Sequence, residues 1–76
     1  GLDRKMQRLQ KQMSVHPEIE VTYFTENEKG GAYAIYAGRV RRIEEVPTAI
    51  VFMDGKRIGV GDIACMESEI FERYEL

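Results

Sequence analysis

The spacing of apolar residues changes at Pro17, and this change constrains the fold more than any other feature of the sequence. Before Pro17, apolar residues recur every three or four positions, which predicts one narrow apolar face on a helix over residues 2–14. That face consists of Leu2, Met6, Leu9 and Met13. From Ile19 to Tyr23, apolar residues alternate with polar ones, as in a half-buried strand. Because proline disfavours the α conformation at the residue before it, the helix is predicted to end there.

Five short strands are predicted after the helix, over residues 19–66. They span residues 19–24, 32–43, 49–53, 56–60 and 63–66. Between the third and fourth strands, Asp54-Gly55 is a strong hairpin signal and predicts a type I′ turn. Residues 67–76 form an acidic tail, in which the spacing of Ile70 and Tyr74 predicts a helical turn or two.

Gly38 lies in the middle of the longest predicted strand. A glycine inside a strand weakens it unless the backbone has to bend or approach another segment closely. In this strand Ile35 and Ile43 have one parity, whereas Tyr36 and Val40 have the other, so both faces are used. We therefore expect the strand to bend at Gly38 and to pass between two sides of the sheet, which closes a small barrel. The predicted fold is mainly β, with an N-terminal α-helix followed by a five-stranded antiparallel small barrel.

The composition fits one small folded domain over residues 1–76. Hydrophobic residues make up 43% of the chain, which is too many for intrinsic disorder. With Cys65 and His16 as its sole cysteine and histidine, the chain can form neither an internal disulfide nor a Cys/His metal cluster. Domains this short usually depend on such links or on other subunits, so we expect a protein partner or self-association. A lone cysteine also favours a reducing, cytoplasmic location.

Charge is divided between the two ends of the chain. Residues 1–14 hold four basic residues and one acidic residue, whereas residues 66–76 hold four glutamates and one arginine. Opposite charges can steer the two ends together, within one molecule or between two. The helix either packs on its own domain, which we favour, or provides a seam for a partner or a second copy through Leu2, Met6, Leu9 and Met13. The longest uncharged run, residues 30–38, is too short to span a membrane.

The sequence contains no recognisable catalytic constellation. Cys65 lies between Ala64 and Met66 in a predicted strand, which is typical of a buried packing residue rather than a reactive thiol. His16 lies at the junction of helix and strand and is expected to be a solvated linker residue, not a general base. Gly59-Val60-Gly61 is too small a fragment to indicate a nucleotide-binding loop. We therefore expect a binding domain, neither an enzyme nor a carrier of a cofactor or a metal.

A nucleic-acid interface is one hypothesis for the binding role. Its candidate residues are Arg39, Arg41, Arg42, Lys56 and Arg57. Tyr33 and Tyr36 precede the arginines on the same strand, and small barrels can stack bases on aromatic rings within a basic groove. The alternative is that the tyrosines belong to the core and that the arginines pair with Glu44 and Glu45. We favour this alternative because the net charge is −2, and phosphate contacts dominate nucleic-acid affinity.

The sequence resembles the YolD-like family. The resemblance covers about residues 2–67 and rests on four segments: Ile19 to Phe24, Tyr36 to Ile43, Ile50 to Ile58, and Gly61-Asp62-Ile63. It implies an Sm-like or SH3-like small barrel. It also implies an adaptor role beside a Y-family lesion-bypass DNA polymerase in bacteria, within DNA repair and the SOS response. An Sm-like module that binds nucleic acid directly is the alternative, and a phage or plasmid regulator is a third hypothesis.

Overall fold

The structure is mainly β, with a helix in front of five antiparallel strands, as the sequence predicts. It is a computed structural model and describes residues 2–27 and 29–72. The strands are Glu18–Asn27 (β1), Gly30–Glu45 (β2), Thr48–Phe52 (β3), Arg57–Gly59 (β4) and Ile63–Glu67 (β5), and the helices are Leu2–Lys11 (α1) and Glu69–Glu72 (α2). All five strands belong to one sheet in the order β4-β3-β2-β1-β5. The helix predicted over residues 2–14 ends at Lys11, and a 3₁₀ turn over Met13–Val15 follows it.

One hydrophobic core draws on every strand and on both helices. Its largest fully buried side chains are Leu9, Ile19, Val21, Val40, Ile50, Phe52 and Met66. The edge strands β4 and β5 face this same interior, although no ladder pairs them within the described part of the chain. A 3₁₀ turn over Val60–Asp62 joins the two strands and also contacts β1 and β3. The sheet thus curls around its core as a small barrel, and the turn rather than a ladder spans the gap between its edges.

Helix α1 packs its apolar face onto this core. Leu9 is fully buried and Met6 is 8% exposed. Leu2 and Met13 are partly buried against the same cluster. The helix therefore packs on its own domain, which is the alternative that the sequence favours. Met6 and Leu9 therefore face the interior, whereas Leu2 and Met13 keep part of their surface, and a seam for a partner or a second copy through these residues stays a prediction.

The oppositely charged ends of the chain meet within one molecule. Lys5 of α1 donates hydrogen bonds to the carbonyl oxygen of Met66 at 2.7 Å and to Oε1 of Glu67 at 3.3 Å. Its ammonium nitrogen also lies 5.5 Å from the ring centre of Phe71 in α2. Met66 pairs with Val21 on its other side, so Lys5 occupies an outward carbonyl on the free edge of β5.

Helix α2 forms the start of the predicted acidic tail. The hydroxyl of Ser68 donates a hydrogen bond to the carbonyl oxygen of Glu18 at 2.7 Å, which ties the end of β5 to the start of β1. Phe71 then enters the core. Residues 73–76, the rest of the predicted tail, lie outside the described residues.

Strand β2 serves two partners in succession. Residues 30–39 pair with β1, and residues 40–45 pair with β3. The transfer takes place directly after Gly38, where the sequence predicts a bend. A Cβ atom at Gly38 would lie 3.3 Å from Cδ2 of Phe52. A side chain at this position would crowd that ring, so the glycine favours the close approach of the ring to the backbone.

A β-bulge after Val40 explains the change of inward face along β2. The register against β3 shifts between Val40 and Arg42, so β2 contains one extra residue there. Val40 and Ile43 consequently both pack with the core although they lie three positions apart. The expectation that both faces of this strand serve the barrel is wrong at Ile35, which is exposed. Ile35 lies on the outer face of the sheet, beside Thr22 of β1, and its side chain is not covered there.

The hairpin at Asp54-Gly55 is present, but its turn is not type I′. The amide of Gly55 donates to the carbonyl of Phe52 at 2.9 Å, and the amide of Phe52 donates to the carbonyl of Lys56 at 2.8 Å. The φ angle of Gly55 is 95°, whereas that of Asp54 is not positive. A type I′ turn needs positive φ at both central residues. The loop is instead Met53–Gly55, a type I turn followed by a left-handed glycine.

Candidate protein-interaction surface

The β1–β2 hairpin extends beyond the strands that flank it. Strand β5 pairs with β1 only from Glu20 to Tyr23, and β3 pairs with β2 only from Val40 onward. Beyond Tyr23 and Ala34 the hairpin is therefore two-stranded. We call residues 24–27 and 30–35 the arm, which includes Ala34 and Ile35 at its base, where β5 still pairs with β1. The molecule is correspondingly long in one direction, with extents of 41 × 25 × 20 Å. A two-stranded extension leaves its edges and its outer face open to contact.

Large apolar side chains are exposed along the outer face of the arm. Phe24 is 40% exposed, Ile35 is 67% exposed and Tyr33 is 68% exposed. Phe24 pairs with Tyr33, and Ile35 pairs with Thr22, so all of them share one face of the ladder. The rings of Phe24 and Tyr33 meet edge to face with centroids 5.8 Å apart. We call Phe24, Tyr33 and Ile35 the exposed stripe, and contiguous apolar patches of this kind mark interaction sites.

Acidic side chains surround the exposed stripe on the same face. Glu18, Glu20 and Glu26 alternate with the inward residues of β1. Glu67 of β5 pairs with Glu20 and lies on the same face. Arg39 contributes a positive charge to this face and pairs with Glu18. A groove of about 690 Å³ runs beside the stripe, between the sheet and the start of α2. Its lining includes Glu18, Glu20, Arg39 and Glu67. The surface around the stripe is therefore apolar at its centre and predominantly acidic at its margin.

Cys65 lies on this same outer face and is exposed, so the expectation of a buried cysteine is wrong. It pairs with Thr22, the residue that also pairs with Ile35. The inward positions of β5 are taken by Ile63 and Met66, and the outer face of the sheet is uncovered at Cys65. Hydrophobic neighbours in the sequence therefore did not imply burial at this position.

The carboxylate of Glu67 is stabilised in its charged form at the edge of this face. The thiol of Cys65 donates a hydrogen bond to Oε1 of Glu67 at 3.4 Å, and Lys5 donates to the same oxygen. The hydrogen bond from Cys65, followed by that from Lys5, lowers the pKa of Glu67 below its ordinary value. Glu67 thus contributes a negative charge to the outer face at neutral pH.

The inner face of the hairpin holds the aromatic residues that belong to the body. Tyr36 packs edge to face on Phe52 with centroids 4.7 Å apart, and its hydroxyl donates a hydrogen bond to Asp54. The ammonium of Lys56 lies 5.3 Å from the ring centre of Tyr23 and 5.8 Å from that of Tyr36. Of the two tyrosines considered for base stacking, Tyr36 therefore joins the core, as the favoured alternative has it, whereas Tyr33 is exposed.

The five basic residues considered for nucleic acid have different neighbours. Glu44 accepts hydrogen bonds from Nε of Arg57 at 2.7 Å and from Nη2 of Arg42 at 3.2 Å. The hydrogen bond from Arg57 is the larger cause, and together the two bonds lower the pKa of the Glu44 carboxylate. Arg39 lies among the glutamates of the outer face, and Lys56 lies over two tyrosine rings. Arg41 and Arg42 line a common pocket, of about 430 Å³, beside the end of the N-terminal helical segment.

His16 has a structural position at the same pocket. Its backbone is left-handed, with φ of 48°, and its ring Nδ1 lies 3.1 Å from the carbonyl oxygen of Val40. The amide of Val40 in turn donates to the carbonyl of Pro17 at 3.0 Å. The expectation of a solvated linker histidine is therefore wrong, because the ring is half-buried against the point where β2 changes partner. Within residues 2–27 and 29–72, no group of three or more metal-ligating side chains could hold a metal ion.

Sequence reasoning missed Phe24 and Ile35, which form the site together with Tyr33. A signal for them existed in the parity of the strands. Phe24 has the opposite parity to Ile19 and Val21, and Ile35 has the opposite parity to Tyr36 and Val40. Apolar residues on the outer parity of two paired strands indicate a surface that is apolar on both sides of the sheet.

Comparisons with protein-family models, curated proteins and solved structures find no match for this chain. The resemblance to the YolD-like family therefore stays a prediction. Among the described helices, none is long and apolar enough to cross a membrane.

Proposed function

We propose that this domain is a non-enzymatic adaptor that binds a protein partner through the exposed stripe. The observation that carries the proposal is the outward exposure of Phe24, Tyr33 and Ile35 on one face of the arm. Aromatic side chains dominate the energetically important positions of protein interfaces. A chain this small also has much to gain from covering three large apolar side chains.

The charge around the stripe specifies the chemistry of the partner. Four glutamates and one arginine flank the stripe on its own face, as described above. Opposite charges across an interface accelerate association and disfavour wrong partners. The partner segment is therefore one with apolar side chains for the stripe and lysine or arginine beside them. Its association is expected to slow as the salt concentration rises.

The family resemblance supplies a candidate for this partner, a Y-family lesion-bypass DNA polymerase. In this proposal the domain works in the bacterial cytoplasm, in DNA damage tolerance, and contributes contact rather than catalysis. The core helix α1 holds the sheet together in this arrangement, and the arm carries the recognition.

The test measures binding of the domain to a purified Y-family polymerase from the same organism by isothermal titration calorimetry. Tyr33→Ser and Ile35→Ser are each expected to weaken binding at least about 10-fold, as buried interface anchors do. Val46→Ser is the matched control, because Val46 is also apolar and 95% exposed but lies in the turn after β2. Unchanged affinity in both stripe variants would overturn the stripe as the docking site, and absence of any binding by the natural domain would overturn the polymerase as its partner.

Cys65 provides an independent footprint of the same surface. Its thiol is exposed beside Ile35 across Thr22, and it is the only thiol of the chain. A partner seated on the stripe should slow alkylation of Cys65 by a small maleimide, measured by intact-protein mass spectrometry. Equal alkylation rates with and without saturating partner would place the partner on another face.

Direct nucleic-acid binding is the competing function. It is tested by titrating a labelled single-stranded oligonucleotide at low salt and again at about 200 mM salt, because phosphate contacts give a steep salt dependence. We expect no binding at either concentration, since Glu44 already pairs with Arg42 and Arg57. Salt-sensitive binding that is lost in Arg41→Ala would favour the nucleic-acid module over the adaptor.

A further inference from the structure

The arm has an unpaired backbone edge on β2, and its direction follows from the register. In an antiparallel pair, alternate residues turn their N–H and C=O groups toward the partner strand or away from it. The carbonyl of Arg39 accepts from the amide of Met53 at 2.9 Å, so the groups of Arg39 point away from β1. Counting back in steps of two, the outward groups belong to Gly31, Tyr33, Ile35 and Ala37. In the described part of the chain, β3 pairs only with later residues of β2.

The other edges of the sheet are short or carry charge, and this one is neither short nor charged. Among the described residues, β1 lacks an outer neighbour beyond β5 only over residues 24–27, which include Glu26. Lys5 occupies the outward carbonyl of Met66 on β5, and β4 is only the three residues Arg57–Gly59. Natural sheets guard their edges with charges, proline or short strands. Between Gly30 and Ala37, the sequence of β2 contains no charged residue and no proline. This segment therefore has the features of a strand that accepts a further strand.

We propose that two copies of this chain pair through these edges, with β2 antiparallel to β2 of the second copy. Centring the pair on Ala34 brings all four outward residues of each copy into register. Tyr33 then lies opposite Ile35 of the second copy, and Gly31 lies opposite Ala37. Aromatic and β-branched residues are favourable cross-strand neighbours. No charged residue lies between Gly30 and Ala37, so the facing edges of two copies meet without like-charge repulsion. A second copy is the occupant because the strand complements itself, with Tyr33 of each copy opposite Ile35 of the other.

This inference goes beyond the proposed function, since a monomer could bind a partner through its stripe. Pairing would join the two sheets into one and place both exposed stripes side by side on the shared outer face. Backbone groups hold the two copies together, whereas the side chains of Tyr33 and Ile35 remain directed outward for a partner. Dimerisation through an uncharged edge is also expected to depend little on salt, unlike association with a basic partner.

Amide hydrogen exchange measured by NMR tests the pairing in the natural chain. The amides of Tyr33 and Ile35 should become protected as the protein concentration rises, because the second copy accepts their hydrogen bonds. Ala34 and Tyr36 are internal controls, since their amides point toward β1 and should be protected at every concentration. If Tyr33 and Ile35 exchange at the same fast rate at all concentrations, the pairing does not occur.

Proline substitution separates this edge from the rest of the arm. Ala37→Pro removes an outward N–H and blocks a neighbouring strand while it leaves the exposed stripe intact. Glu26→Pro is the matched control, because Glu26 pairs with Gly31 and turns its N–H to the opposite edge of the arm. In sedimentation velocity, Ala37→Pro should weaken dimerisation at least ~10-fold, and Glu26→Pro should leave it unchanged.

The outcomes distinguish this inference from the proposed function. A natural chain that is monomeric at all concentrations, or a dimer that persists in Ala37→Pro, would overturn the edge pairing and leave the adaptor proposal standing. Loss of partner binding in Ile35→Ser with intact dimers would support the stripe and the edge as separate surfaces. Thermal melting of Ala37→Pro verifies that the variant is folded. If it is not folded, the hydrogen-exchange measurement on the natural chain still tests the pairing.

Discussion

The body and the arm use the same residue types in opposite ways. Ile50 and Phe52 of β3 are buried in the core, whereas Ile35 and Phe24 of the arm are exposed. Both pairs lie in antiparallel strands of the same sheet. The difference is what stands across from each face: α1 and the remaining strands cover the inner face, and nothing in the described chain covers the outer face of the arm. Burial in this protein therefore depends on the reach of neighbouring elements more than on the hydrophobicity of the residue.

The strongest test of this comparison removes one large apolar side chain from each region. Leu9→Ala deletes a fully buried side chain and is expected to lower the free energy of unfolding by about 2–5 kcal/mol. Ile35→Ala should change it by no more than about 0.5 kcal/mol, because the side chain is exposed. Urea denaturation measures both. Equal losses in the two variants would mean that Ile35 is packed in solution and is no part of an open surface.

A smaller effect is expected where the arm joins the body. Gly38→Val places extra methyl groups against the ring of Phe52, and such overpacking typically costs about 1–3 kcal/mol. Gly61→Val is the control, since a Cβ atom at Gly61 has no neighbour within 4 Å and should change stability by no more than about 0.5 kcal/mol. Thermal or urea unfolding compares the two. A neutral Gly38→Val would show that close approach of the ring is not what requires the glycine.

The smallest expected effect concerns the ion pairs of Glu44 on the surface of the body. Hydrogen bonds from Arg57 and Arg42 lower the pKa of Glu44 below its ordinary value of 4.5 in the folded state. A depressed carboxylate pKa stabilises the fold above that ordinary value, and the stabilisation is lost as the pH falls through the lowered pKa. Glu44→Gln should therefore melt slightly below the natural chain at neutral pH and converge with it in acid.

The control for this experiment is Glu45→Gln, at the next position of β2. Melting temperatures at neutral pH and in acid, at low salt, give the comparison, because salt screens such exposed pairs. A constant difference between Glu44→Gln and the natural chain across the whole pH range would contradict the role of the two arginines.

Much of the body could be predicted from local pattern. The spacing of Leu2, Met6, Leu9 and Met13 predicts the helix, because a helix brings every third or fourth residue to one face. The Asp54-Gly55 pair predicts the hairpin between β3 and β4, since few dipeptides turn a chain so tightly. The predicted type of that turn was wrong, because the length of the loop depends on where the β3–β4 ladder ends. Pairing register is a property of two strands, and neither strand specifies it alone.

The candidate site was predicted only in part. Tyr33 was among the aromatic residues considered, but Cys65 and Ile35 were assigned to the interior. A strand pattern states which residues share a face, and it does not state which face a neighbouring element covers. The basic residues were grouped by closeness in sequence, whereas the structure divides them among Glu44, the aromatic rings and the acidic outer face. Position in the sequence could not reveal those partners, because they lie on other strands.

By itself, the sequence determined the helix, the number of strands and their places along the chain, and the glycine next to which the longest strand changes partner. These depend on periodicity and on backbone freedom, which act over a few residues. Only the tertiary structure decided that the hairpin outruns β5 and β3 and that its apolar outer residues stay exposed. Those outcomes depend on the lengths and registers of strands far apart in the chain, and hydrophobic burial rewards whichever face the folded neighbours reach.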